Sequence, residues 1–131
     1  MATTIIDVYK TWLDNYKIKY EDHGGYISFD HSGGHFIIAN NEDDPQFFSI
    51  VMPRILVFSS EKNDKERLRV LEAANQVNRE FKVVKVVCDD EDLWITTEMF
   101  IASGTNIDEY TERLLYVIIQ AARKLYQLLE G

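Results

Sequence analysis

Between Ile107 and Leu129 the chain reads IDEYTERLLYVIIQAARKLYQLL. At 100° per residue, Ile107, Tyr110, Leu114, Leu115, Val117, Ile118, Ile119, Ala121, Ala122, Leu125, Tyr126, Leu128 and Leu129 fill an arc of roughly 200°. A helix resting on one core surface needs little more than ~100°. Glu109, Glu112, Arg113, Gln120, Arg123, Lys124, Gln127 and Glu130 occupy the remainder, with Tyr116 as the only aromatic among them. Such a helix must meet two apolar surfaces. One is the domain's own sheet. The second is either the first helix of the same chain or another molecule. The flank Leu115, Ile119, Ala122 and Tyr126 is the part expected to meet a partner, because an uncovered apolar strip of that size marks an interaction site.

Working back from there, Leu93 to Ile101 is strand-like, and Lys82 to Cys88 is Val-rich and strand-like. The acidic turn Asp89-Asp90-Glu91-Asp92 joins them, and Asn106 or Thr105 caps the last helix. Before this pair lies a helical stretch. Asn63 is its expected cap, with Glu66 three residues on as in a capping box. Its expected buried stripe is Leu68, Leu71, Ala74, Val77 and Phe81, flanked by Val70 and Ala73. Phe47 to Phe58 is a long apolar run interrupted by Pro53-Arg54. Proline donates nothing to a ladder, so Pro53 predicts an edge position, a bulge or a break. An exposed edge there would offer a second docking surface by strand addition. Tyr26 to Asp30 and the stretch around Phe36 to Ala39 alternate, and His31-Ser32-Gly33-Gly34 between them predicts a hairpin. Ile5, Tyr9, Trp12 and Tyr16 recur at helical spacing, which predicts a first helix over Thr4 to Lys19 with Thr3 or Thr4 as its cap.

The order is helix, three strands, helix, two strands, helix. With 131 residues the chain fits one domain spanning 1–131. Tight connections within each strand group predict an α+β fold, an antiparallel sheet with helices packed on one face.

Three stretches carry a family resemblance. The first is Gly34-His35-Phe36-Ile37-Ile38-Ala39-Asn40 followed by Asp44-Pro45-Gln46-Phe47. The second is Val70-Leu71-Glu72-Ala73-Ala74-Asn75-Gln76-Val77-Asn78 running into Phe81-Lys82-Val83-Val84-Lys85. The third is the acidic turn and strand before the long last helix. Together they resemble the bacterial YbjN-like family, whose members are labelled candidate sensory transduction regulators, and the element order resembles the type III secretion chaperone-like fold. The resemblance implies a compact α+β domain that dimerises or binds a partner. It carries no catalytic signature.

The balance of 14 Lys+Arg against 22 Asp+Glu gives a net charge of −8. Nucleic-acid binding draws affinity from basic residues displacing counterions, and there is no basic stripe here. Anionic membrane surfaces are disfavoured for the same reason, and no run approaches the ~20 apolar residues that span a bilayer. Met1 to Lys10 has no signal-peptide pattern. One cysteine, Cys88, leaves no internal disulfide and suits a reducing cytoplasm.

Few residues suggest chemistry. His23, His31 and His35 lie close in sequence but lack a metal-ligand spacing, and read as turn histidines. Glu42-Asp43-Asp44 and Asp89 to Asp92 lack the alternation and central glycine of a calcium loop. Cys88 has acidic neighbours, which disfavour a thiolate. Ser59, Ser60 and Ser103 stand in no nucleophile elbow, and the Gly24-Gly25 and Gly33-Gly34 pairs match no phosphate loop. No metal, cofactor or catalytic residue is therefore expected. Asn75 and Asn78 share a helix face. They bond either a partner or the domain's own strand edge. The expected function is a non-enzymatic protein-interaction module, homodimeric, cytoplasmic, bound to itself or another polypeptide. The alternative is a small-ligand-binding domain or enzyme with a pocket between sheet and helices, using Asn75, Asn78 and a histidine. A structural subunit of a larger complex would differ from the first reading only in its partner.

Overall fold

A capping box opens the first helix. In the computed structural model, which describes residues 4–41, 43–57, 64–89, 92–101 and 106–130, the Thr4 hydroxyl accepts from the Asp7 amide at 3.1 Å. The Asp7 carboxylate accepts from the Thr4 amide at 3.4 Å. Helix α1, Ile5–Asn15, buries Ile5, Ile6, Tyr9, Trp12 and Leu13. It ends sooner than its apolar spacing predicts. Lys17 turns left-handed at φ 59°, and the Ile18 amide reaches back to the Leu13 carbonyl at 2.9 Å while the Lys17 amide reaches Asp14 at 3.1 Å. This is a Schellman closure built without glycine. It frees Tyr20–Asp22 to form a short strand, β1, ahead of the three expected ones.

The remaining elements follow the order expected from the sequence: β2 Tyr26–His31, β3 Gly34–Asn41, β4 Asp44–Val57, α2 Asp64–Glu80, β5 Lys85–Cys88, β6 Asp92–Phe100 and α3 Thr111–Glu130. The strands form one antiparallel sheet in the order β1-β2-β3-β4-β6-β5. The β2–β3 hairpin turns on Ser32 and Gly33, both with positive φ (51° and 84°), the backbone that a two-residue turn between twisted strands requires. Pro53 marks a bulge. Between Met52, opposite Ile95, and Leu56, opposite Leu93, β4 carries extra residues, and Arg54 takes φ 51°. Strand β4 pairs with β3 on one side and β6 on the other, so the exposed edge suggested near Pro53 is not an edge of the sheet; β1 and β5 are the edges. The Ile55 carbonyl past the bulge accepts a hydrogen bond from the Tyr126 hydroxyl of α3 at 2.9 Å.

The inner face of the sheet presents Ile27, Phe29, Phe36, Ile38, Phe48, Ile50, Met52, Val86, Leu93 and Ile95, all buried. Helix α3 covers β4 and β6 with a continuous stripe of Thr111, Leu114, Leu115, Ile118, Ala121, Ala122 and Leu125. Its second apolar surface is helix α2, with α1 reaching it through the Tyr9 and Thr111 hydroxyls, 3.2 Å apart. The wide arc is thus shared between sheet and α2, not sheet and α1. Lys124 and Glu80 meet at 3.9 Å, and the Arg69 guanidinium donates to the Leu129 carbonyl, fastening α2 to the end of α3. Helix α2 itself is rotated from the expected stripe. It buries Val70, Ala73, Ala74 and Val77, while Leu68 and Leu71 face solvent.

The expected caps Asn63 and Thr105, the acidic residues Glu42, Asp90 and Glu91, and Ser59, Ser60 and Ser103 lie outside the described residues. Asn106 does cap, accepting from the Asp108 amide at 3.0 Å, but it opens a 3-10 turn, Ile107–Glu109, before α3 begins.

Burial holds the Tyr9 hydroxyl well above the usual phenol range, and its hydrogen bond to Thr111 pulls part of the way back. Above about pH 10 the unfolded chain gives up this proton while the folded chain keeps it. The unfolded state then binds fewer protons, so stability falls as pH rises. Melting curves between about pH 8 and about pH 11 should show this decline, and Tyr9→Phe should flatten it.

Candidate functional site

Helix α3 is flanked by concavities on both sides. On one side, where α2 has ended, Lys82 and Val83 pass in front of Met99 of β6. Together with Tyr110, Leu114, Tyr116 and Val117 they line an open cleft of about 940 Å³, rimmed by Glu112 and Arg113. Two apolar side chains stand out of it: Val83 is 65% exposed and Tyr116 64%. Val83 has φ 61°, a conformation that a β-branched residue adopts only under strain. The Tyr110 hydroxyl is buried with no hydrogen-bond partner among the described residues, and burial raises its pKa.

On the other side of α3 lie two smaller hollows. One, of about 360 Å³, is enclosed by the hairpin turn Ser32-Gly33-Gly34-His35, by Met52 to Ile55 of the bulge, and by Ile119, Ala122, Arg123 and Tyr126 of α3. Its wall depends on Gly34, where a Cβ atom would come within 2.8 Å of the Met52 methyl and 3.0 Å of the Phe36 ring. The other, of about 220 Å³, shares Ser32, Ile119 and Arg123 with it and adds His31, Glu112, Leu115, Tyr116 and Gln120. Tyr116 thus borders concavities on both sides of the helix.

The flank singled out from the sequence lines these hollows, but not as a free surface. Leu115 and Ala122 are buried within the chain itself, because α3 sets them against its own core. Ile119 is partly buried. Tyr126 is 43% exposed, and its hydroxyl is spent on Ile55. The surface left open lies one residue along, at Tyr116 and Val117, and Val83 is added to it by a left-handed turn that no local pattern announces.

Asn78 bonds the domain's own strand edge. Its Oδ1 accepts from the Val86 amide at 2.7 Å, and its Nδ2 donates to the Val86 carbonyl at 3.3 Å. The side-chain amide stands in for a neighbouring strand and blunts the β5 edge. Replacing Asn78 with alanine should leave both Val86 groups unpaired and cost about 1–3 kcal/mol, measurable by urea denaturation. Asn75 is exposed, and neither asparagine lines the concavities beside α3.

The histidines do not converge. His23 Nε2 lies 2.8 Å from the Ser28 hydroxyl and the ring stacks on Tyr26; His31 Nε2 is 3.4 Å from Glu112; His35 Nδ1 is 2.7 Å from Asp30. Cys88 ends β5, partly buried, with its thiol 3.6 Å from the Asp89 carbonyl. No helix among the described residues is long and apolar enough to cross a membrane.

Among the described residues, three α-helices accompany one six-stranded antiparallel sheet, an α+β fold similar to that of type III secretion chaperones. YbjN from E. coli, described as a suggested transcription regulator, superposes with a TM-score of 0.61 at 14% identity, over 98% of this chain and 93% of that one. A chain of the heterodimeric ExoU–SpcU complex from the type III secretion system of Pseudomonas aeruginosa gives 0.62 at 21% identity, over 92% and 96%. A chain of the HopA1–SchA chaperone–effector complex gives 0.55 at 11% identity, over 94% of each. At these identities the likeness is one of fold. No family model and no curated protein matches the sequence.

Proposed function

We propose that this domain is a non-enzymatic protein-interaction module of the chaperone-like or regulatory kind, acting in the cytoplasm, and that it pairs with a second copy of itself along α3. The cleft beside Tyr116 carries the reading. A single chain folds its core, covers Leu115 and Ala122, and still leaves Val83 and Tyr116 standing in the open beside Met99, Leu114 and Val117. Apolar surface of this kind, rimmed by Lys82, Glu112 and Arg113, is the composition of a contact patch with a polar rim. The fold supports the same reading, since chains of this architecture occur in heterodimeric and chaperone–effector complexes. Ile119 and Tyr126 would extend the contact along α3, and Asn75 lies on an exposed face of α2 with Leu68 and Leu71.

Sedimentation equilibrium over the micromolar range tests the pairing. The expected mass is twice the 15.3 kDa of the chain. A species that stays at the single-chain mass up to high micromolar concentration defeats the homodimer.

A further inference from the structure

The hollow between the β4 bulge and α3 has an unusual charge arrangement. In a chain with a net charge of −8, acidic partners are plentiful, yet Arg54 and Arg123 have no carboxylate partner among the described residues. Both line the same hollow of about 360 Å³. Arg54 holds φ 51°, a backbone position that costs a non-glycine residue free energy, and the bulge keeps it there. Met52, Ile55 and Ile119 add apolar lining to the same hollow. The Tyr126 hydroxyl is already committed to the Ile55 carbonyl. Two acids of the flanking segments pair with histidines, Asp30 with His35 at 2.7 Å and Glu112 with His31 at 3.4 Å.

We infer that this hollow binds a carboxylate carried on a small apolar group. The guanidinium fork matches the planar carboxylate in shape and charge. The apolar body would rest on Met52, Ile55 and Ile119, in a volume at the small end of ligand pockets. The carboxylate is that of a free organic acid or of a polypeptide C-terminus; both present the same head. The site uses neither Val83 nor Tyr116, so a variant that breaks the pairing at the cleft leaves its arginines intact; Ile119 and Tyr126 are shared with the extended contact along α3.

Amide-resolved NMR titration of the full chain tests this with benzoate and N-acetyl-leucine, each against its neutral amide, and with inorganic phosphate. Both acids are expected to shift the amides of Ser32, Gly33, Gly34 and Ile55. Arg123→Gln and Arg54→Gln are each expected to weaken them about tenfold, the loss of one charge-assisted contact. Should Arg54→Gln fail to fold, Arg123→Gln on the exposed side of α3 decides alone. Benzoate binding tighter points to a free acid as the source, and N-acetyl-leucine binding tighter points to a chain terminus. The inference is overturned if the neutral amides bind as well as the acids, if phosphate binds more tightly than either acid, if Arg123→Gln changes nothing, or if no shift appears at these residues.

Discussion

Phe48→Ala should remove about 3–5 kcal/mol of folding stability, the range seen when a fully buried ring is replaced by a methyl group. Phe48 sits at the middle of the sheet, opposite Asn40 on β3 and Met99 on β6. It has no exposure, and its ring lies 5.5 Å from that of Tyr9, which joins the sheet to α1. The void would open where three layers of contact meet: β4, α1 through Tyr9, and α3 through the Tyr9–Thr111 contact. A domain of this size is stable by roughly 5–15 kcal/mol, so the variant should be close to half unfolded in mild denaturant. Urea titration followed by circular dichroism reads the loss directly. A cost below about 1 kcal/mol would mean that the core is not organised around this contact.

The second large effect concerns association and not folding. Val83→Asp combined with Tyr116→Asp should weaken self-association at least a hundredfold, about 2.7 kcal/mol, while the domain stays folded and its melting temperature does not fall, since aspartate tolerates the left-handed backbone at position 83 better than valine. The separation follows from exposure. Neither side chain contributes to the core, and substitutions at exposed positions usually move stability by about 0.5 kcal/mol. A pair of carboxylates buried in an apolar contact is instead strongly unfavourable. Sedimentation velocity and a melting curve on the same sample separate the two outcomes. Equal association by variant and wild type would move the contact away from this cleft.

Much of the architecture was readable from local patterns. The alternation around Ser32-Gly33, the helical spacing of α3 and the element order each rest on one stretch of chain and one period. The departures share a physical cause. Helix α1 stops at Asn15 because a lysine, not a glycine, adopts the left-handed closing position. Helix α2 buries Val70, Ala73, Ala74 and Val77 instead of Leu68 and Leu71, because the covered arc is set by where α3 and β5 lie, not by which residues are most apolar. The same holds for the candidate site. The width of the α3 arc pointed to a second neighbour, and that neighbour is α2. What stays open is the short length of α3 beyond the end of α2, bounded by a strained Val83. The two arginines of the hollow were equally hidden, since Arg54 and Arg123 lie far apart in sequence and come to line one hollow only because α3 packs beside the bulge.

Covalent footprinting of tyrosines reads whether a second copy covers the cleft. Tyr116 and Tyr16 are both strongly exposed on a single chain, at 64% and 51%, and Tyr16 lies on the far side of the sequence, at the end of α1. Labelled at nanomolar concentration, both should react; at high micromolar concentration Tyr116 should become protected while Tyr16 does not. Equal reactivity of Tyr116 at both concentrations would rule out pairing through this surface, because the cleft would then face water in every copy of the protein.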